Sequence, residues 1–202
     1  MLKRTHVVAI FLALSASLAL AQVPNIAQFS ADMKMSRSAS DFATGKMYWG
    51  GSRMRMDMNA NGHDVSMIHD TPKKISYMIM PEQKMYMELS ANSPMLGRTP
   101  DIKLYDPSNP CASEEGYTCK KVGAETVNGR PCEKWEFTGP RGNRTVWIDQ
   151  KLHFPLRTVS ADGHSFDLTN VKEASQPASL FEIPAGYTKM DMGGMGGRKK
   201  PE

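Results

Sequence analysis

Apolar and polar positions alternate with a period of two along most of this chain, and the apolar member is repeatedly methionine. Met33-Lys34-Met35, Met54-Arg55-Met56-Asp57-Met58, Met78-Ile79-Met80 and Met85-Tyr86-Met87 all follow this spacing. On a strand, residues i and i+2 share a face; on a helix they splay around the axis. The pattern therefore predicts strands that carry one soft, thioether-lined face. Alternating runs bounded by turn residues predict strands over 29–37, 44–49, 53–59, 63–70, 74–80 and 84–89, and again over 117–127, 130–138, 144–149, 153–161 and 165–171. A short closing strand is expected over 187–190, after a helical turn at 179–183. Asn61-Gly62, Asn128-Gly129 and Asp162-Gly163 are hairpin signals. In the fifth run, Ile75, Tyr77 and Ile79 oppose Met78 and Met80. That strand is expected to be covered on both faces. About ten or eleven short strands at near-regular spacing, with no long amphipathic helix, predict a mainly β sandwich or barrel.

One stretch breaks the pattern. Residues 91–116 hold Pro94, Pro100, Pro107 and Pro110 among Ser, Asn and Asp, and predict a long loop with one helical turn near 94–97. A loop of that length in a compact domain is usually functional or mobile. It serves either as a lid over the methionine face or as a loose connection pinned by a disulfide. Cys111 and Cys119 flank its end, and Cys132 lies in a later strand. Three cysteines allow three single pairings and leave one thiol over; the expected pair is Cys111–Cys119.

The chain ends add an address. Lys3 and Arg4 precede an apolar run over 7–20, and Ala19-Leu20-Ala21 fits a small-x-small cleavage site. Cleavage after Ala21 is expected, giving a signal peptide (1–21), one β domain (22–190) and a disordered Gly/Met/basic tail (191–202). The run is short for a membrane span, which needs roughly 20 apolar residues. The formal charge of +4 falls to +2 once Lys3 and Arg4 are removed, so nothing marks a nucleic-acid binder. A periplasmic, monomeric protein is expected.

The second half adds a more specific signal. Val127-Asn128-Gly129, Lys134-Trp135-Glu136-Phe137, Val146-Trp147-Ile148-Asp149 and Phe154-Pro155-Leu156-Arg157 precede Leu180-Phe181-Glu182-Ile183-Pro184-Ala185-Gly186-Tyr187. In this order they resemble the LolA/LolB-like superfamily of periplasmic lipoprotein carriers, in a branch of unknown function. The resemblance spans roughly 29–189. It implies a curled antiparallel sheet forming an unclosed half-barrel, with short helices or a loop lid over an apolar cavity. It also implies binding of acyl chains or other hydrophobic ligands, without catalysis.

The leading expectation is thus a carrier for a lipid or lipidated protein, with a transient membrane partner and no cofactor. Its ligand-binding candidates are Met33, Met35, Met54, Met56, Met58, Met78, Met80, Met85 and Met87, with Trp49, Trp135 or Trp147 at the rim. Methionine is flexible and polarizable and suits a ligand of varying shape; the same residues could equally fill a core. Arg53 and Arg55 alternate with the methionines and are expected on a solvated opposite face. The alternative is copper(I), for which thioethers are suitable soft ligands, with Met190, Met192 and Met195 in the tail as candidates. Reversible methionine oxidation is a further alternative. An enzyme is not expected: no nucleophile elbow, HExxH, phosphate loop or dinucleotide fingerprint is present. His63, His69, His153 and His164 are scattered, and Asp57, Asp64 and Asp70 form no catalytic pair.

Overall fold

The structure is a computed structural model that describes residues 27–36, 42–60, 62–90, 93, 104–106 and 108–190. The expected signal segment, the helical turn at 94–97 and the tail beyond Met190 lie outside the described residues. Twelve strands form one sheet: β1 Phe29–Ser36, β2 Phe42–Trp49, β3 Arg53–Ala60, β4 His63–Asp70, β5 Ile75–Met80, β6 Met85–Ser90, β7 Thr118–Val127, β8 Arg130–Thr138, β9 Arg144–Asp149, β10 Pro155–Ser160, β11 Ser165–Glu173 and β12 Thr188–Lys189. Each run predicted by alternation is a strand, with ends shifted by a residue or two.

The sheet order is β12-β6-β5-β4-β3-β2-β1-β11-β10-β9-β8-β7. Two meanders, β1–β6 and β7–β11, are thus joined where the first strand pairs with the eleventh. The pairs are antiparallel except β12 with β6. Turn chemistry sets the hairpins. Asn128 and Gly129 both adopt positive φ, 51° and 79°, as a two-residue turn with primed geometry requires. The Asp162-Gly163 signal works differently. Only Gly163 is left-handed there, at 88°, and four residues separate β10 from β11. Lys74 and Lys84 take the left-handed position of the turns before β5 and β6, an arrangement no glycine or asparagine announced.

The sheet curls without closing into a barrel. Trp49 on β2 and Phe154, just before β10, have ring centroids 5.2 Å apart, yet β1 and β11 lie between their strands. Three strand spacings of a flat sheet would separate them by about 14 Å, so the sheet bends toward the face both rings occupy. Phe29, Met33, Met47, Leu156, Phe166 and Leu168 share that core. Asp149 holds the bend on the β9 side. Fully buried, it pairs with the Arg130 Nε at 2.5 Å and accepts hydrogen bonds from the backbone N–H groups of Lys151 and Leu152 at 2.9 and 2.7 Å.

The outer face is covered at one place. After β11 the chain runs back over the sheet as a strap, with a short 3-10 helix at Ala178–Phe181 and then β12 on the edge of β6. Phe181 packs against Ile68 and Ile79, with Tyr48, Tyr77, Tyr86, Leu180 and Tyr187 around them. The fifth strand is therefore covered on its outer face, while Met78 and Met80 on the other face are half-buried. Arg53 and Arg55 are not on a solvated face. The Arg53 guanidinium lies 5.5 Å from the Phe181 ring centroid, and Arg55 donates to the Leu180 carbonyl at 3.1 Å and to Asp57 at 2.7 Å. The strap explains the difference: it returns from far along the sequence to a strand whose alternation reads as half-exposed.

A methionine-lined sheet face

Cross-strand partners share a face, so the register orders the methionines directly. The central rank is Ala31, Met47, Met56, Met67, Met78 and Met87, one residue from each of β1 to β6. Five thioethers thus stand side by side on five adjacent strands. The rank on one side is Met33, Gly45, Met58, Val65, Met80 and Met85, Val65 and Met80 following from the alternation of their strands. The rank on the other side is Phe29, Trp49, Met54, His69, Ser76 and Leu89. Met35 continues the same face of β1 opposite Ala43. All nine methionines expected on one face lie on one face, and it is the face toward which the sheet bends.

Two members escaped the sequence reading. Met47 is flanked at i±2 by Gly45 and Trp49, and Met67 by Val65 and His69. Neither belongs to a Met-x-Met pair; only the register places them between Met56 and its neighbours. Burial varies across the face. Met33, Met47, Met54, Met56, Met67 and Met87 are buried, whereas Met35, Met58, Met78, Met80 and Met85 are half-buried.

The face carries no Lys or Arg on β1 to β6. Lys34, Lys46, Arg53 and Arg55 alternate onto the other side. Its polar members sit at its two ends: exposed His63 at one, and at the other His69, whose Nδ1 is 2.8 Å from Ser76 Oγ, with the indole of Trp49. The three tryptophans are not brought together. Trp49 is 6% exposed against Phe154 and Phe29. Trp135 packs beside Phe137 and Val146 and donates to Glu133 at 3.1 Å. Trp147, one residue along β9 from Val146, turns the other way, donates to Glu125 at 2.8 Å and lies between Lys134 and Arg157.

The connection from β6 to β7 joins opposite edges of the sheet, so it must cross. Leu104 packs against the methionine-bearing core and Tyr105 against Phe137, while the Tyr105 N–H donates to His153 O at 2.8 Å. Cys111 and Cys119 are bonded, with Cα atoms 5.7 Å apart, at the end of this crossing. Their loop presents Glu114, buried at 4% exposure, to Arg144 at 2.8 Å. The Arg144 guanidinium lies 4.4 Å from the Tyr117 ring centroid and 4.8 Å from that of Phe137. Cys132 is a buried free thiol, which burial, with Asp149 nearby, pushes up to about 11. A polar groove of about 350 Å³ opens at the β1–β11 bulge, lined by Ser30, Asp32, Lys46, Asn170 and Lys172. There Asn170 and Lys46 hold the Asp32 carboxyl below its usual range. Among the described residues no cluster of three His, Cys, Asp or Glu side chains is placed to hold a metal. Met190 ends the described chain, its N–H donating to Tyr86 O at 2.8 Å; Met192 and Met195 lie outside the described residues.

A family model described as "Domain of unknown function (DUF4412)" matches residues 29–153, from the first strand through the crossing to the β9–β10 bend. The chain belongs to the DUF4412 family. No curated protein matches it. Among solved structures, this DUF4412 protein is similar to an uncharacterized conserved protein from Thermus thermophilus, at 9% identity and a TM-score of 0.57, over 82% of this chain and 91% of that one. It is similar also to MucB, at 18% identity and a TM-score of 0.55, over 79% of this chain and 58% of MucB. MucB has been solved in complex with MucA, from Pseudomonas aeruginosa. These likenesses are of fold. A LolA superfamily protein from Nitrosomonas europaea also matches, over 79% of this chain and 91% of its own, at 12% identity and a TM-score of 0.35.

Proposed function

We propose that this DUF4412 protein is an exported, non-catalytic binding protein whose methionine face receives the hydrocarbon part of a lipid or lipidated protein. The observation that carries the reading is the rank of five methionines on adjacent strands, flanked by further methionines and free of fixed positive charge. Unbranched, polarizable side chains adapt to a chain of varying shape, and burying one apolar side chain is worth roughly 1.5–3 kcal/mol. Leu104 of the β6–β7 connection packs against the core cluster that holds Met33, Met47 and Met56 with Leu152 and Phe154, and in this reading that connection is the lid. The N-terminal charged and apolar pattern supports export to the periplasm.

The test is native mass spectrometry, lipid extraction and elemental analysis of protein purified from its exported compartment. Acyl species near one per chain are expected. Met78→Asp places a charge in the half-buried middle of the rank and should remove those species while the circular dichroism spectrum stays that of a β protein. Unchanged lipid content in the folded variant would reject this face. One observation favours a second reading: cross-strand neighbours stand about 4.5–5.5 Å apart at Cβ, close enough for adjacent thioethers to share a copper(I) ion. Stoichiometric copper without lipid would select it.

A further inference from the structure

We propose that Met80, Met85 and His63 form a site for a soft monovalent cation, copper(I), at the tip of the β5–β6 hairpin, with Glu82 aligning the imidazole. This rests on the copper(I) reading above, to which it gives residues and a place, and is independent of the acyl one. Met80 and Met85 are the last pair of that hairpin. As cross-strand partners they share a face, with Cβ atoms about 4.5–5.5 Å apart. Both are half-buried, unlike Met47, Met56 and Met67 in the packed core. Methionine's flexible chain lets the two thioethers turn toward a shared ion without a preformed cavity. Met78, also half-buried, lies two residues in on the same face of β5 and is the reserve donor.

The third donor comes from β4. His63, Val65 and Met67 alternate onto one face, and Met67 pairs with Met78, so it is the face of Met80 and Met85. The same register sets Val65 against Met80, and His63 is then the diagonal neighbour of Met80 at about 7–8 Å, a distance long side chains span. The His63 imidazole is exposed, and its Nδ1 lies 3.5 Å from Glu82 Oε2 in the turn that joins Met80 to Met85. Metal-binding histidines characteristically give their second ring nitrogen to a carboxylate, which fixes tautomer and orientation. Here that contact takes Nδ1 and leaves Nε2 for the ion. The donor set selects the metal. Thioethers are soft and suit copper(I), and imidazole suits copper as well. No group of three His, Cys, Asp or Glu is placed to hold a harder divalent ion among the described residues. Lys189 of β12, which runs beside β6, carries its charge to the other face, where it meets Glu88 at 2.9 Å.

Two measurements on the exported protein test the site, both without thiol reductant so that the Cys111–Cys119 bond stays closed. In the first, copper(I) held reduced by ascorbate is titrated in competition with bicinchoninate; one ion per chain is expected. Met80→Leu combined with Met85→Leu keeps the volume and the apolar character. It should weaken binding by more than the roughly 10–100-fold that loss of an outer partner costs, and Glu82→Gln by about tenfold. His63→Gln should weaken it too, whereas His164→Gln, at an exposed histidine beside Asp162 but on no methionine pair, should change nothing. In the second, silver(I) is added to the unsubstituted protein as a redox-inert stand-in. The methyl resonances of Met80 and Met85 and the ring of His63 should move while the methyls of Met33 and Met47 stay, a readout that needs no variant to fold. Unchanged affinity in the double leucine variant, with the Met80 and Met85 methyls unmoved, would overturn the site and leave the copper(I) reading standing. No copper(I) bound by the unsubstituted protein would overturn both. Neither result touches the acyl reading, which lipid extraction decides.

Discussion

Gly45 shows how closely single residues are held on the methionine face. It stands in the rank of Met33 and Met58, and a Cβ there would overlap the Asp57 carbonyl oxygen on β3. Backbone cannot yield as a side-chain tip does. Gly45→Ala should therefore cost about 1–3 kcal/mol or more, read as a lower urea midpoint with an unchanged slope. Cys132 is held as tightly by different means. Buried, and with its thiol pushed up to about 11, it carries almost no thiolate at neutral pH, and the thiolate is the reactive form. With Cys111 and Cys119 bonded, a thiol reagent without reductant should count none per native chain at pH 7 and one per chain in denaturant. Three in denaturant would mean the disulfide is absent. Because the native pKa of Cys132 is raised, its contribution to stability is full below about pH 8.5, the unfolded value, and is lost as pH climbs toward 11.

At the scale of elements the strap carries the largest structural claim. It covers the outer face of β3 to β6 and adds β12 to an edge that would otherwise be open. Phe181 is its anchor, and truncating a buried Phe typically costs 3–5 kcal/mol. Phe181→Ala should lower the thermal midpoint by several degrees and raise amide exchange in β5 and β6 more than in β8 and β9. Equal exchange across both meanders would show that the strap is not what secures the first. The other edge is β7, which the chain leaves uncovered among the described residues. Lys120 and Lys121 on that strand, and the bulge between Lys121 and Gly123, blunt it against pairing with another chain.

For the whole molecule the surface charges act together. Hydrogen bonds from Lys46 and Asn170 lower the Asp32 carboxyl, those from Lys134 and Trp147 lower Glu125, those from Lys121 and Trp135 lower Glu133, and those from Lys151 and Arg130 lower Glu173. A carboxyl lowered in the native state binds its proton more weakly there than in the unfolded chain. Its contribution is full above the unfolded value of about 4 and is lost as pH falls through the native one. Thermal melts should be level between about pH 5 and 8 and should decline below about pH 4. These groups lie near the surface, so the decline is gradual and shrinks with added salt. A midpoint that rose on acidification would contradict the assignment.

The strands, the hairpin at Asn128-Gly129 and the shared face of Met33, Met54, Met56, Met58, Met78, Met80, Met85 and Met87 were legible in the sequence because they depend on period and local turn preference. Both act within a few residues. Which strands lie side by side was not legible, since pairing of β1 with β11 joins residues more than a hundred positions apart. From that pairing follow the single curled sheet and the crossing of the β6–β7 connection. The register then inserts Met47 and Met67 into a continuous rank. The partial burial of Arg53 and Arg55 under the strap, and the burial of Trp49 without an acceptor, likewise arise from distant segments meeting. Alternation assigns a side chain to one of two faces; only the closed network of strand pairings decides what each face meets.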